Sequence, residues 1–230
     1  MSKLEVIVLN EEDARVAEAS GADRLELVSV IQEGGLTPSY QMIERVIEAV
    51  SVPVQVMLRP HSKSFSYGRT GLMEMMNQLE TFHQIGVQGI VFGALTVDGE
   101  LDQDALRKVV KAAGKQSVTF HRAIDASNDP VALYKTLCRT DLKIDRVLTS
   151  GGQESVSEGV GIIKKMQDVE AVSGPVIMPG SGLTLENIEG IHRTLHAKEY
   201  HFGSGVRMNG SYESGIDPVK VKAVKEKIMR

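Results

Sequence analysis

The chain has 230 residues, 42% of them hydrophobic, and a formal net charge of −4. That suffices for one sizeable core, and the acidic balance excludes a basic nucleic-acid groove or an anionic membrane surface as the expected partner. The single cysteine, Cys138, excludes an intrachain disulfide and fits a reducing, cytoplasmic setting.

From the N-terminus, MSKLEVIVLNEEDARV carries acids instead of an apolar targeting segment, and no run in the chain reaches the ~18 apolar residues of a membrane span. A strand is predicted at 4–9, then a helix at 11–20 that Asn10 can cap. Strands at 23–28 and 53–59 flank a helix at 39–50, for which Ser39 is a fair cap. A helix at 70–85, a strand at 89–94 and a helix at 102–113 follow, then a strand at 117–122. Asp129-Pro130 marks the start of a helix at 130–138, since an acid at the cap and a proline at the first helical position suit a helix N-terminus. A strand at 145–150, a helix at 154–171, a strand at 174–179 and a helix at 184–194 capped by Thr184 come next. A last strand at 199–203 precedes a helix at 218–229 that Asp217-Pro218 opens. Eight βα units without a linker predict one (β/α)8 TIM barrel spanning residues 1–230, with an open doubly wound sheet as the competing layout.

In such a barrel, function sits at the C-terminal ends of the strands. Glu26, Arg59, His121 and His201 fall there, whereas Glu5 stands near a strand start and is expected away from the mouth. Alternation gives direction: Leu25 and Leu27 share one face, so Glu26 lies on the other, and Val54, Val56 and Leu58 do the same for Arg59. In TFHRAID, Thr119 and His121 should face the axis, Phe120 the helices, and Arg122 should brace Asp125. Glu26, Arg59 and His121 are therefore expected to converge, either as a catalytic set or as a buried charge network. In the catalytic reading His121 is the general acid or base, Glu26 orients or assists it, and Arg59 holds a carboxylate or a developing oxyanion.

Two Gly-Ser-Gly turns follow the last two strands: Gly180-Ser181-Gly182 and Gly203-Ser204-Gly205. Glycines let the backbone approach an anion, so adjacent loops of this kind suggest an anion site, with simple turn chemistry as the alternative. Arg207 could reinforce that site or stand in solvent. The reaction class implied is an aldolase- or isomerase-like step on a small anionic or phosphorylated metabolite, although the fold alone does not choose it.

The blocks ELVSVIQEGGLTPS, VMLRPHSKSFSY, GIVFGALTVDGELD, VTFHRAID, RVLTSGG and IMPGSGLTLENI, in this order, resemble the CutC family of copper homeostasis proteins. The resemblance covers essentially the whole chain and implies a TIM barrel, a cytoplasmic location, and copper binding and homeostasis. The family carries a cysteine directly after the Glu-Leu of its second block, where this chain has Val28. Copper bound here would then rest on His121 and His201, with Glu26 in support, rather than on a thiolate. The expected partners are thus a small molecule or metal ion, with no nucleic acid and no membrane, and homo-oligomerisation is left open.

Overall fold

Eight strands alternate with eight helices among the described residues of the computed structural model, which are 1–170 and 174–229. The strands are β1 (Lys3–Val8), β2 (Arg24–Leu27), β3 (Val54–Met57), β4 (Gly89–Phe92), β5 (Ser117–Phe120), β6 (Arg146–Thr149), β7 (Val176–Pro179) and β8 (Glu199–Phe202). The helices are α1 (Glu11–Ala19), α2 (Tyr40–Ala49), α3 (Gly68–Ile85), α4 (Gln103–Ala113), α5 (Pro130–Arg139), α6 (Val156–Glu170), α7 (Ile188–Leu195) and α8 (Pro218–Ile228). All strand pairs are parallel, in the order β7-β6-β5-β4-β3-β2-β1-β8, and a parallel bridge between Gly180 and His201 joins the two ends of the sheet. The result is the predicted (β/α)8 barrel. No helix of the described residues is long and apolar enough to cross a membrane.

The two-residue period of each strand sorts the side chains. Leu4, Val6, Val8, Leu25, Leu27, Val54, Val56 and Phe120 face outward into the main core beneath the helices. Each such side chain, fully removed from water, contributes roughly 1.5–3 kcal/mol. The opposite face points into the barrel. Its lower part is polar, and nearer the mouth Ile7, Val28, Met57 and Val91 form a small second apolar cluster.

Local chemistry explains the helix starts. Asn10, Ser39, Asp102, Asp129 and Asp217 each accept a backbone N–H of the first helical turn, and Pro130 and Pro218 follow two of these caps. Thr184 does not cap α7. The helix starts at Ile188 after Asn187, whose side chain accepts the Thr184 N–H at 2.8 Å and donates to Gly182 O at 2.7 Å. That exchange holds residues 184–187 as a turn. The helix expected at 154–171 begins at Val156, and its last expected residue, Ala171, lies outside the described residues. Strand β5 stops at Phe120 because His121 turns to cap a short 3-10 helix over Arg122–Ala126.

Candidate active site at the barrel mouth

A column of charge fills the lower barrel. The β1–β2 register sets Glu5 beside Arg24, and the β1–β8 register sets Glu5 beside His201. Arg24 donates to both Glu5 and Glu199, and Arg146 donates to Glu199 at 3.1 Å and to Thr119 Oγ1 at 2.9 Å. Glu5, Arg24, Arg146, Glu199 and His201 are all buried, so each charge depends on its partner.

One step toward the mouth the column changes character. His201 donates from Nδ1 to Glu5 Oε1 at 2.7 Å, and its Nε2 stands 3.7 Å from Glu26 Oε2. Burial alone would raise Glu5, but the Arg24 charge and then the His201 hydrogen bond outweigh it and hold Glu5 well below the usual carboxylate range. Burial would lower His201, yet the Glu26 charge and the Glu5 hydrogen bond raise it, so its imidazolium form is favoured. Glu26 differs from Glu5. Burial pushes its carboxyl up to about 7, against the opposing pull of the His201 charge and the weaker one of Arg24, neither of which reverses it. Its Oε1 is buried without a hydrogen-bond partner. A carboxyl group that changes protonation near neutrality is suited to give or take a proton.

On the other side of the mouth the Arg59 guanidinium donates to Glu33 O at 3.1 Å and Gly35 O at 3.2 Å, and lies over the Phe65 ring at 4.8 Å. His121 packs on that same ring, with centroids 5.1 Å apart. Its Nδ1 accepts the Ala123 N–H at 3.1 Å. Burial, reinforced by the Arg59 charge, depresses His121 to about 3, so the ring is neutral at physiological pH. The ordinary histidine pKa therefore does not apply to this ring. Glu26, at about 7, lies nearer neutrality than His121, His201 is raised from its ordinary value, and the carboxylate hydrogen-bonded to a histidine here is Glu5, on His201.

Arg122 braces Asp125 through Nε at 2.8 Å, and its other nitrogens reach Ser181 Oγ at 3.1 Å and Ser150 Oγ at 3.0 Å. Asp125 also accepts from Thr149 Oγ1 at 2.5 Å, Ser150 Oγ at 3.0 Å and Gly152 N at 2.9 Å. One carboxylate thereby fixes the loops after β5 and β6, and Arg122 carries the brace to the first Gly-Ser-Gly turn. The two glycine turns abut: a Cβ on Gly205 would stand 2.0 Å from Leu183 O. Neither the Gly182 nor the Leu183 N–H meets an acceptor among the described residues.

A cavity of about 320 Å³ opens among these groups. Glu26, Arg59, His121, His201, Ser181, Gly182, Gly203, Ser204 and Gly205 all line it; Gly180 lies just beneath, against Leu148 and His201. Arg122 and Tyr212 also line it and were not singled out as site residues by sequence. Glu5, expected away from the mouth, reaches the site from below through His201. Its two-residue offset from Ile7 on the inward face was the available signal. Arg207 belongs to neither expected setting: it is buried, pairs with Asp13 at 2.5 Å and covers the Tyr212 ring. Glu5, Glu26 and His201 offer ligand atoms all within 4.8 Å of one another, whereas His121 is not part of that group. These are oxygen and imidazole donors; Cys138 is half-buried on α5, and Val28 lines the cavity where a thiolate would be needed for Cu(I).

The sequence profile of the CutC family matches residues 2–206. A CutC family protein of Klebsiella pneumoniae (strain 342) is 38% identical over 205 residues, covering 89% of this chain and 81% of the relative. One from Yersinia pseudotuberculosis serotype I (strain IP32953) is 36% identical over 189 residues, covering 82% and 74%. The crystal structure of a protein from Streptococcus agalactiae, named for copper homeostasis as CutC, superposes with a TM-score of 0.79 at 25% identity, over 88% of this chain and 98% of that one. Phosphoribosyl anthranilate isomerase of Thermotoga maritima shares the fold, with a TM-score of 0.68 at 13% identity over 100% and 99% of the two chains. The chain therefore belongs to the CutC family.

Proposed function

We propose that this barrel is an enzyme that moves a proton on a small phosphorylated metabolite. Glu26 is the acid–base group, and Arg122 with the two Gly-Ser-Gly turns holds the anion. The observation that carries the reading is Glu26 itself: a buried carboxyl raised to about 7, with an oxygen that has no partner, on a residue that lines the cavity together with Arg122 and with Gly182 and Leu183, whose N–H groups meet no acceptor among the described residues. His201, whose imidazolium form is favoured by the Glu26 charge and the Glu5 hydrogen bond, stands 3.7 Å from Glu26 and balances its charge when it ionises. Arg59 adds positive charge opposite.

A thermal-shift screen of triose, pentose and hexose phosphates tests the reading. A ligand at 100 times its Kd adds about 2.7 kcal/mol of stability. Stabilisation by a sugar phosphate that Arg122→Ala weakens supports it; no response from any phosphate defeats it.

The copper reading draws on the family name of the relatives and on the grouping of Glu5, Glu26 and His201. That donor set suits a divalent ion that favours oxygen and imidazole, Cu(II) included, and does not suit thiolate-bound Cu(I). Glu5 is already committed to Arg24, which leaves Glu26 and, once its Nε2 gives up its proton, His201 as the ligands. Calorimetry with Cu(II), comparing the native chain with His201→Ala, tests it: equal affinities would rule this site out.

A further inference from the structure

Glu26, His121 and Arg59 all line the cavity, and each carries a buried polar atom without a partner: Oε1, Nε2 and Nε respectively. The His121 atom is the most informative. Its Nδ1 accepts the Ala123 N–H, so that nitrogen presents a lone pair, not a proton. The ring is neutral, and its one N–H is therefore on Nε2. It cannot turn to find another partner. Phe65 packs on one side, and Gly93 supports Nδ1 so closely that a Cβ there would lie 2.5 Å away. The fold thus fixes a neutral donor, on a ring that lines the cavity, from which nothing among the described residues accepts. A protonated Nε2 is not a metal ligand, and a neutral donor beside an arginine matches a single oxygen that gains negative charge.

We propose that His121 is a neutral hydrogen-bond donor to a substrate carbonyl oxygen, which makes the substrate of this site a phosphorylated carbonyl compound that Glu26 enolises. This rests on the acid–base reading of Glu26. Ionised Glu26 takes the proton from the carbon next to the carbonyl. The C–H electron pair becomes the carbon–carbon double bond, and the carbonyl π pair moves onto oxygen. That oxygen accepts the Nε2–H bond of His121 and faces the Arg59 guanidinium. Glu26 then returns the proton to carbon. No electron is lost, and no oxidant is needed.

The test has two parts, with 2-phosphoglycolate as the probe because it joins a phosphate to an anionic oxygen pair, and inorganic phosphate as the control. Nitrogen-15 NMR of labelled histidine in the ligand-free protein should show His121 neutral and protonated on Nε2 from pH 5 to 8. Adding 2-phosphoglycolate should shift that proton downfield, and adding phosphate alone should not. His121→Ala should weaken 2-phosphoglycolate about tenfold, the worth of one such hydrogen bond, and His121→Gln, which keeps an N–H donor, should retain most of the affinity. A proton on Nδ1, or titration of His121 between pH 5 and 8, overturns the inference. So does binding of 2-phosphoglycolate that His121→Ala leaves unchanged, with the anion site itself intact. Failure of both ligands to bind overturns the reading of the cavity and this inference with it.

Discussion

His201 Nε2 stands 3.7 Å from Glu26 Oε2, too far for a hydrogen bond and close enough for the two charges to govern each other. His201 is anchored from the other side by Glu5, which Arg24 keeps ionised. The series Arg24, Glu5, His201, Glu26 therefore runs from a fixed ion pair to a group able to change protonation. Charge is locked at the bottom of the barrel and adjustable at its mouth.

The first prediction concerns stability at Glu26. Its folded pKa of about 7 lies above its ordinary value of 4.5. Between those values the folded chain keeps a proton that the unfolded chain has released, so stability falls as pH rises through that window and then levels off. Glu26→Gln should remove that fall. At pH 8 the variant should be more stable than the native chain by roughly 1–3 kcal/mol, measured by urea unfolding. A variant less stable at pH 8 would contradict the assignment.

His121 should show the opposite slope. Its folded value of about 3 lies below the ordinary 6.5, so the unfolded chain takes up a proton first and stability is lost as pH falls from 6.5. His121→Gln should be less acid-sensitive than the native chain between pH 6.5 and 4.5. Glu5 contributes its own loss only below its ordinary 4.5, so this window separates the two groups. Melting temperatures at pH 4.5 and 6.5 make the comparison; parallel curves would argue against a buried neutral ring.

Much of this site was legible because strand alternation is strict. Leu25 and Leu27 directed Glu26 inward, and Phe120 directed His121 inward. Partners were harder to read. Glu5 belongs to the site because parallel register sets it beside His201, and register is a property of two strands that neither one encodes alone. His121 was expected to have an ordinary pKa, since a sequence does not report how completely a ring is desolvated. Arg207 was placed near the anion or in solvent, but its partner Asp13 lies 194 residues away. Thr184 looked like a cap until the Asn187 side chain claimed its N–H.

Asp125 should be the main stabilising residue of the mouth. Its side chain is only 7% exposed and accepts from Arg122, Thr149, Ser150 and Gly152. Asp125→Ala leaves those donors unmatched and should cost about 2–4 kcal/mol. Arg122→Ala, at a side chain 41% exposed, should cost less, about 0.5–1.5 kcal/mol, and should weaken phosphate binding. Chemical denaturation ranks the two, and a larger loss at Arg122 would refute the order.

Val28 provides a test of the copper chemistry. It lines the cavity and is 1% exposed. Val28→Cys adds a thiolate beside Glu26 and should tighten Cu(I) at least about tenfold, read by anaerobic competition with a colorimetric chelator. Native protein that already binds Cu(I) as tightly as the variant would show that a thiolate is not what this site lacks.

Solvent exchange tests proton transfer by Glu26 most directly. The protein is incubated in deuterium oxide at pH 7 with triose, pentose and hexose phosphates that carry a carbonyl group, and proton NMR follows the hydrogen on the carbon beside that carbonyl. At least one compound should lose that signal faster with native protein than without it, the rate should rise with pH through about 7 as Glu26 ionises, and Glu26→Gln should reduce it by at least about a hundredfold. Exchange that Glu26→Gln supports as fast as the native chain, or no catalysed exchange with any compound of the series, would contradict the account.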